Sequence, residues 1–472
     1  MVGDPGGIKR FINEYFSRRL QPIEDRVDQT AEAVAELHRE LDSTREELAR
    51  ALEALRGQID AGLDRSAVTL STVNMLSRRT HRTDRIRCLF LIHYMEAWDS
   101  MADVIELMRD DPGFEPIVAS IPRRLPASQE FRDEELTHVR LDALGVPHIR
   151  LDGDSPLALD TIRQLDPDLI LRQSQWEADV PPGFSTENLG SARLALIPYE
   201  VFNPIENVRL PGSVRDTATD SWYHRNCWAV FCANEMVKAR AAAMSPATGA
   251  AQWVVTGHPK VARIRRALEA TPDSSTRPFT VMWSAHHSIE DHWTRFGLFP
   301  AMWPQMVDWA RERPEWHFVF SPHPSLLTVM EAANPPLSPE SVAQFWETWD
   351  SLANTEFDPG GRDGTYGELF ARSDVCVSDG ISMLVEFQIA NKPVVHVARE
   401  GHAAFNDIGL VCQKGWHTVA STDEAKLLVE RFAAGEPDPL TQAQKQVVAQ
   451  VFGDRDAARE IVDYIRDNWD SR

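Results

Sequence analysis

The chain has 472 residues, 43% of them hydrophobic, so its length and composition predict two or three domains with sizeable cores. A formal net charge of −22 offers no basic surface to neutralise phosphates, which argues against a nucleic-acid partner. The five cysteines are scattered without metal-ligand spacing and predict reduced core thiols. No apolar run reaches the roughly 18 residues of a membrane span, and no signal-peptide core is present. We therefore expect a cytoplasmic protein that contacts the inner face of the cell membrane only peripherally, if at all.

Residues 1–21 predict an amphipathic basic helix. One face carries apolar side chains and its borders carry basic ones (Ile8, Phe11, Ile12, Tyr15 and Leu20; Lys9, Arg10, Arg18 and Arg19). A helix of this kind suits a membrane interface. It equally suits packing on the protein itself or on a partner subunit, and all three readings stay open.

Residues 22–80 predict a coiled coil and a linker, with the coiled coil over 22–65. Seam positions alternate in steps of three and four (Val27, Thr30, Val34, Leu37, Leu41, Thr44, Leu48, Ala51 and Leu55). That spacing is typical of a helix that pairs along one stripe. The two threonines and the alanine weaken the stripe. We expect a homo-oligomer through this segment; the alternative is a long helix lying on the globular body.

From Arg85 onward the pattern changes to strands alternating with helices. A first series of apolar runs ends near 257–260 and a second series follows (86–92, 115–119, 168–171, 194–197, 228–232 and 252–256; 278–283, 316–320, 374–377 and 393–397). Alternation of this kind predicts parallel sheets covered by helices. The fold class is therefore α/β, with two Rossmann-like lobes at 81–258 and 259–472 and a cleft between them.

Two further features complete the predicted architecture. The last helices (422–434, 440–451 and 454–468) include one long enough to cross back over the first lobe. Residues 331–365 are rich in Pro, Asp and Asn and predict an insertion near the cleft mouth.

The segment 366–397 carries the strongest candidate for a ligand site. It predicts a strand, the polar turn SDGIS and a helix, an arrangement that offers backbone N–H groups to an anion. Its candidate nucleotide- or phosphate-binding residues are Ser378, Asp379, Gly380, Ser382, Glu386 and Lys392. The alternative is a plain helix N-cap with a solvated Glu386.

Three histidines follow strands of the second lobe. His286 and His287 stand in WSAHHSI, and His323 stands between two prolines in FSPHPSL. A histidine at a strand's carboxyl end can donate to a phosphate oxygen or act as a general acid or base. We therefore predict catalytic roles for them, against the alternative of a helix cap.

A single Asp152-Gly153-Asp154 sequence occurs in the first lobe. In some glycosyltransferases such a pair of aspartates binds a metal, but here it lies far along the chain from the nucleotide-binding features. We read it as a polar turn and expect no metal and no cofactor.

Together, WSAHHSI, FSPHPSL, YGELF…SD…SDGIS…E…KP and VTGHPK resemble the CDP-glycerol glycerophosphotransferase family over about residues 85–400. The resemblance implies the GT-B fold of teichoic-acid and capsule transferases. It also implies a nucleotide-activated donor, such as CDP-glycerol, and a polymer acceptor that can be lipid-linked. By motif, Ser378, Asp379, Ser382 and Glu386 would hold the nucleotide, and the histidines would line the reaction centre.

The chain departs from this pattern in two places. Ser321 stands where the family usually has an arginine before PHP. Residues 195–202 lack the WHGT histidine that serves as base in the polymerases, so Glu200 becomes our candidate base, with Tyr223 and His224 as further candidates. Three main hypotheses follow: a polyol-phosphate transferase, a nucleotide-sugar-dependent glycosyltransferase on the same fold, and a non-catalytic coiled-coil scaffold in that pathway. Hydrolysis or epimerisation of a nucleotide sugar on a similar two-lobed fold is a further alternative.

Overall fold

The computed structural model describes residues 14–15, 26–27, 30, 32, 34–56 and 85–470, except 126–127, 129, 152–154, 208–215, 246–247, 272–276, 290–293 and 360–365. The chain divides into two units, Met1–Leu70 and Ser71–Arg472. Most of the predicted basic helix and the Asp152–Asp154 turn lie outside the described residues. Within the described part of the chain, no helix is long and apolar enough to cross a membrane.

In the first unit, helix α1 spans residues 34–56. Its seam leucines are more than half exposed within this unit, at 64% for Leu37, 51% for Leu41 and 60% for Leu48. The predicted helix is therefore present over this stretch. Whether it pairs with a second copy stays a prediction.

The first sheet of the second unit is parallel, and the described residues give it seven strands in the order β3-β2-β1-β4-β5-β6-β7. Both faces are covered by helices, which explains why its strands read as continuous apolar runs. The strands are β1 Ile86–Ile92, β2 Phe114–Ser120, β3 Ile149–Arg150, β4 Leu169–Arg172, β5 Arg193–Leu196, β6 Cys227–Cys232 and β7 Trp253–Val255. The helices are α2 Ala102–Asp110, α3 Glu134–Ala143, α4 Ser155–Leu165, α5 Thr186–Leu189, α6 Trp222–Asn226, α7 Glu235–Met244 and α8 Pro259–Ala270.

The second sheet is also parallel, with six strands in the described chain, ordered β10-β9-β8-β11-β12-β13. These strands are β8 Thr280–Ser284, β9 His317–Phe320, β10 Thr355–Phe357, β11 Val375–Ser378, β12 Val394–Val397 and β13 His417–Val419. The helices are α9 Phe299–Glu312, α10 Pro324–Ala332, α11 Pro339–Ser351, α12 Gly367–Arg372, α13 Ser382–Glu386, α14 Asp407–Cys412, α15 Thr422–Ala433, α16 Thr441–Val451 and α17 Ala457–Asn468. Short 3-10 helices occur at Met95–Ser100, Glu177–Asp179, Pro182–Phe184, Phe387–Ala390 and Gln413–Gly415. The predicted α/β class with two Rossmann-like lobes is confirmed.

The two lobes are joined at several places. Helix α17 returns to the first sheet, where Ile461, Val462 and Ile465 are buried in the same core as its strands. The amide of Asn406 donates to the carbonyls of Asn203 and Ile205 at 2.8 and 3.0 Å. The predicted crossing-back helix is therefore present, and loops of the two lobes contact each other at Asn406.

The predicted insertion at 331–365 is wrong for the residues described there. Helix α11 and edge strand β10 belong to the second lobe, and the rings of Phe345 and Trp349 pack against Trp283 in its core. Ser338 caps α11 and Pro339 occupies its first turn. The prolines and polar residues are therefore helix-start signals. All five cysteines, each within the described residues, are buried free thiols, as predicted.

Candidate functional site

A cavity of about 470 Å³ lies between the lobes. The loops that follow β1, β4 and β5 of the first sheet line it, together with those that follow β8, β9 and β11 of the second. Carboxyl ends of parallel strands are where open α/β sheets place ligand sites. Of the predicted site residues, Glu200, His286, His287, His323, Gly380, Ser382 and Glu386 line this cavity.

The three histidine rings converge on one part of the cavity wall. Their centroids lie 4.3 Å apart for His286 and His287, 4.6 Å for His287 and His323, and 5.4 Å for His286 and His323. The sequence placed them after two separate strands, and β8 and β9 are neighbours in the sheet. The parallel pairing therefore brings the two motifs together.

His323 is held as a neutral ring. Its Nδ1 accepts from the backbone N–H of Ser325 at 3.1 Å, which leaves the ring proton on Nε2. Burial lowers the pKa of His323 to about 4; the charge of Glu96 opposes this shift and that of Arg123 adds to it. At neutral pH the ring is therefore a hydrogen-bond donor without a positive charge.

The SDGIS turn supplies residues that line the cavity and buried residues that hydrogen-bond to the neighbouring loop. The Asp379 carboxylate accepts from the backbone N–H of His286 at 2.7 Å and from that of Leu298. Ser378 Oγ donates to the Ser284 carbonyl at 2.9 Å and accepts from Gly380 N–H at 2.9 Å. Ser378 and Asp379 are fully buried and are not among the described residues lining the cavity. In this structure their side chains hold the histidine loop in place, and direct contact with a nucleotide stays a prediction.

Glu386 lines the cavity as half of a buried ion pair. Its oxygens accept from Lys260 Nζ at 3.0 and 3.3 Å, and both side chains are about 95% buried. Lys260 belongs to α8, so the pair connects the first turns of α8 with the end of α13. Lys260 was not among the predicted site residues, although it is the last residue of the VTGHPK motif. His258 and Pro259 of that motif cap and begin α8.

Glu200 enters the cavity from the loop after β5. Burial raises the pKa of Glu200 to about 7; the Glu386 carboxylate adds to the rise and Lys260 opposes it. A carboxyl group with a pKa near the working pH is suited to proton transfer. Tyr223 and His224, the other candidate bases, are buried elsewhere: Tyr223 donates to the Ala195 carbonyl and His224 forms a capping box with Ser221.

Lys392 does not serve as predicted in this structure. Its ammonium donates to the carbonyls of Phe370, Ala371 and Ser373 at 2.6–2.9 Å, at the carboxyl end of α12. A cation there balances the negative end of the helix dipole. Lys392 is not among the described residues that line the cavity.

The first lobe also contributes a cavity wall whose residues were not predicted. The ring of Tyr94 lies 4.9 Å from that of Tyr199, and Tyr94 donates to Asp179 at 3.0 Å. Glu96 is held by two hydrogen bonds from Arg123, at 2.6 and 2.9 Å.

These contacts decide the charge that a ligand would meet. Glu96 and Glu386 are each balanced by a buried cation. Burial raises the pKa of Asp179 to about 6, and Glu200 titrates near 7. The lining is therefore less negative than its four carboxylates suggest, and an anionic ligand is compatible with it.

Comparison with proteins of known structure identifies the fold. No protein-family model matches the sequence, and no curated protein matches it. Among solved structures, the UDP-GlcNAc 2-epimerase of Neisseria meningitidis, bound to UDP-GlcNAc, aligns with a TM-score of 0.50 at 14% identity, covering 81% of this chain and 100% of that one. S. aureus MnaA with UDP aligns at 0.52 and 14%, covering 82% and 97%. A variant of the wall teichoic acid polymerase TagF soaked with CDPG aligns at 0.52 and 13%, covering 85% and 97%.

Identities this low establish the fold alone. They confirm the two-lobed GT-B-type architecture that the sequence resemblance implied. The reaction has to be argued from the cavity.

Proposed function

We propose that this protein transfers glycerol phosphate, or a related polyol phosphate, from a CDP-activated donor to a growing cell-surface polymer such as teichoic acid or capsule. One observation carries the proposal. Three histidines of the second lobe and a half-buried glutamate of the first, with its pKa raised to about 7, line one cavity. The motifs WSAHHSI, FSPHPSL and SDGIS support the donor class.

In the proposed reaction, a hydroxyl of the polymer attacks the β-phosphorus of the donor. The new P–O bond forms as the bond to the α-phosphate oxygen breaks, and CMP leaves with that electron pair. Glu200 takes the hydroxyl proton. His323 donates through Nε2 to a diphosphate oxygen, because its Nδ1 is already an acceptor.

A second candidate is a nucleotide-sugar-dependent glycosyltransferase. It is favoured by one observation: the first lobe offers the carboxylate of Glu200 where the resembling polymerases use a histidine. In that reaction the acceptor attacks the anomeric carbon and a nucleoside diphosphate leaves. Either reaction can use a polymer acceptor, whether or not it is lipid-linked. Either reaction is also compatible with peripheral membrane contact through residues 8–20.

Thermal unfolding of the full chain tests the donor class. CDP-glycerol, CDP-ribitol, CMP, CDP, UDP and several UDP-sugars would be compared, with magnesium and with EDTA. A ligand that binds the native state raises the melting temperature. We expect a rise with the cytidine compounds, reduced in His323→Ala and retained in His38→Ala, an exposed histidine of α1.

The other outcomes are decisive too. A rise confined to uridine compounds would replace the first proposal by the second. No rise with any nucleotide, in a protein whose unfolding is cooperative, would overturn both and favour the scaffold.

A further inference from the structure

A cluster of metal-binding side chains lies at the edge of the first sheet. His138 and Asp142 are one turn apart on α3, and His148 lies in the loop that leads to edge strand β3. One ligand atom from each residue lies within 4.8 Å of the other two. None of the three is among the described residues that line the interlobe cavity.

One nitrogen of each imidazole ring faces the other ring at hydrogen-bond distance. His138 Nδ1 lies 2.9 Å from His148 Nε2. His148 Nδ1 lies 2.8 Å from the carbonyl oxygen of Val146, which can only accept, so this nitrogen carries a proton. A carbonyl that fixes the far ring nitrogen is the usual support of a metal-bound histidine, and it leaves Nε2 of His148 as a lone-pair donor.

The geometry lets one cation reach all three side chains. His138 Nε2 lies 3.7 Å from an Asp142 carboxylate oxygen, beyond hydrogen-bond distance. When a cation takes the lone pairs of His138 Nδ1 and His148 Nε2, the ring proton of His138 sits on Nε2, on the side of Asp142. The cation then accepts lone pairs from both imidazoles and from the carboxylate.

We propose that His138, Asp142 and His148 bind a divalent transition metal, with zinc as the expected ion. Two imidazoles and one carboxylate are ligands that zinc accepts at about 2.0–2.2 Å, with water in the fourth position. The facing nitrogens would separate by a few tenths of an ångström to reach tetrahedral spacing. Asp142 is 66% exposed, so the ion and a water molecule have access from solvent.

The expected role is to join α3 to the edge of the sheet. Strand β3 has two residues and pairs on one side with β2, so its hydrogen bonding alone is sparse. Gly145, at φ +66°, turns the chain between α3 and His148. A bound ion would fix this loop to the last turn of α3, independently of the function proposed for the cavity.

Zinc titration of the untagged, chelator-treated full chain tests the site. We expect one equivalent to bind, and cobalt to give the visible absorption of a tetrahedral complex. His148→Ala should weaken binding by more than the roughly 10–100-fold that loss of a supporting contact costs. His38→Ala is the matched control, because that histidine is exposed on α1 and belongs to no such cluster among the described residues.

Asp142→Asn guards against a folding defect, since this exposed position can lose its charge without loss of volume. It should keep the metal-free melting temperature and lose most of the zinc-dependent rise. Zinc binding that is equally tight in wild type, His148→Ala and Asp142→Asn would overturn the proposal. So would a wild-type chain that binds less than one equivalent.

Discussion

Glu200 makes the proposed reaction depend on pH in a definite direction. A general base must be deprotonated to act, and burial raises the pKa of Glu200 to about 7. The rate of CMP release, as kcat/KM, should therefore rise with pH up to about 7 and level off above it. Glu200→Gln should lower kcat/KM by about 10²–10⁴-fold and abolish the rise.

The exposed Glu187 of α5 supplies the comparison. Glu187→Gln should leave both the rate and its pH profile unchanged. A Glu200→Gln enzyme that retains the wild-type rise would assign the base to another group.

The buried pair of Lys260 and Glu386 should dominate the response to substitution at either position. Lys260→Met leaves a buried carboxylate without its cation, which costs about 3–5 kcal/mol in the free energy of unfolding. Adding Glu386→Leu removes the second charge, and the double variant should recover most of that loss. Denaturant unfolding of the wild type, the single variants Lys260→Met and Glu386→Leu, and the double variant measures the coupling.

Lys426→Met breaks the more exposed pair with Glu312 and is the control, with an expected cost of about 0–1 kcal/mol. If Lys260→Met costs no more than Lys426→Met, the pair does not stabilise the fold.

At the residue scale, functional residues within contiguous motifs could be predicted from the sequence. Contacts between residues in distant segments could not. His286, His287 and His323 each follow a strand directly, so their position at a sheet edge could be read from the pattern. Lys260 and Glu386 are 126 positions apart in the sequence, and no local pattern predicts that they form an ion pair. Lys392 was misread for the same reason, because the carbonyls that it binds belong to a preceding helix.

The contact between α8 and α12 depends on the absence of a side chain at Gly367. A Cβ there would lie 2.5 Å from the Cβ of Ala267 and 3.2 Å from the Cα of Ile264. Gly367→Ala should therefore destabilise the protein by about 1–3 kcal/mol through overpacking. Because α8 also carries Lys260, we expect weaker nucleotide binding in the same variant.

Removing the opposing methyl group distinguishes overpacking from a backbone effect. Ala267→Gly alone costs about 1 kcal/mol in a helix. Combined with Gly367→Ala, it should be less destabilising than the sum of the two single changes. Strict additivity of the unfolding free energies would show that the two positions do not press on each other.

At the element scale, the long buried strands were predictable, whereas three of the four edge strands in the described sheets were not. The fourth, β7, was predicted as the apolar run 252–256. The runs that became β1, β6 and β8 are continuous and apolar, as both-face burial requires. Edge strands β3, β10 and β13 have two or three residues each, too few to show a period. The misreading of 331–365 followed from this, because β10 lies inside it.

At the scale of the whole molecule, alternation of strands and helices was enough to predict two parallel sheets. It could not predict how the lobes are joined. That depends on contacts such as the antiparallel bridge between Ile205 and Phe405 and the bond from Glu206 N–H to the Ala404 carbonyl at 2.8 Å. These residues lie about 200 positions apart in loops whose sequences carry no pairing signal. The cavity's shape follows from those contacts, so its lining was only partly predictable.

The apolar stripe of α1 leads to a prediction about assembly. Leu37, Leu41 and Leu48 occupy seam positions and are exposed within their unit. In a parallel pair of α1 helices, Glu40 of one copy would lie beside Arg45 of the other, so the flanking charges are complementary. We therefore expect the full chain to form a parallel dimer through α1, with a molar mass by light scattering that falls on dilution.

Two sets of variants test the pairing and its orientation. Leu41→Lys places a charge in the seam and should yield a monomer, whereas Ser43→Lys, on the outer face of the same helix, should leave the dimer intact. Glu40→Arg should weaken the dimer by opposing Arg45, and Glu40→Arg combined with Arg45→Glu should restore it, because each interhelical pair regains opposite charges. A monomeric wild-type chain at all concentrations would refute the dimer. A dimer that resists Leu41→Lys would place the interface outside α1.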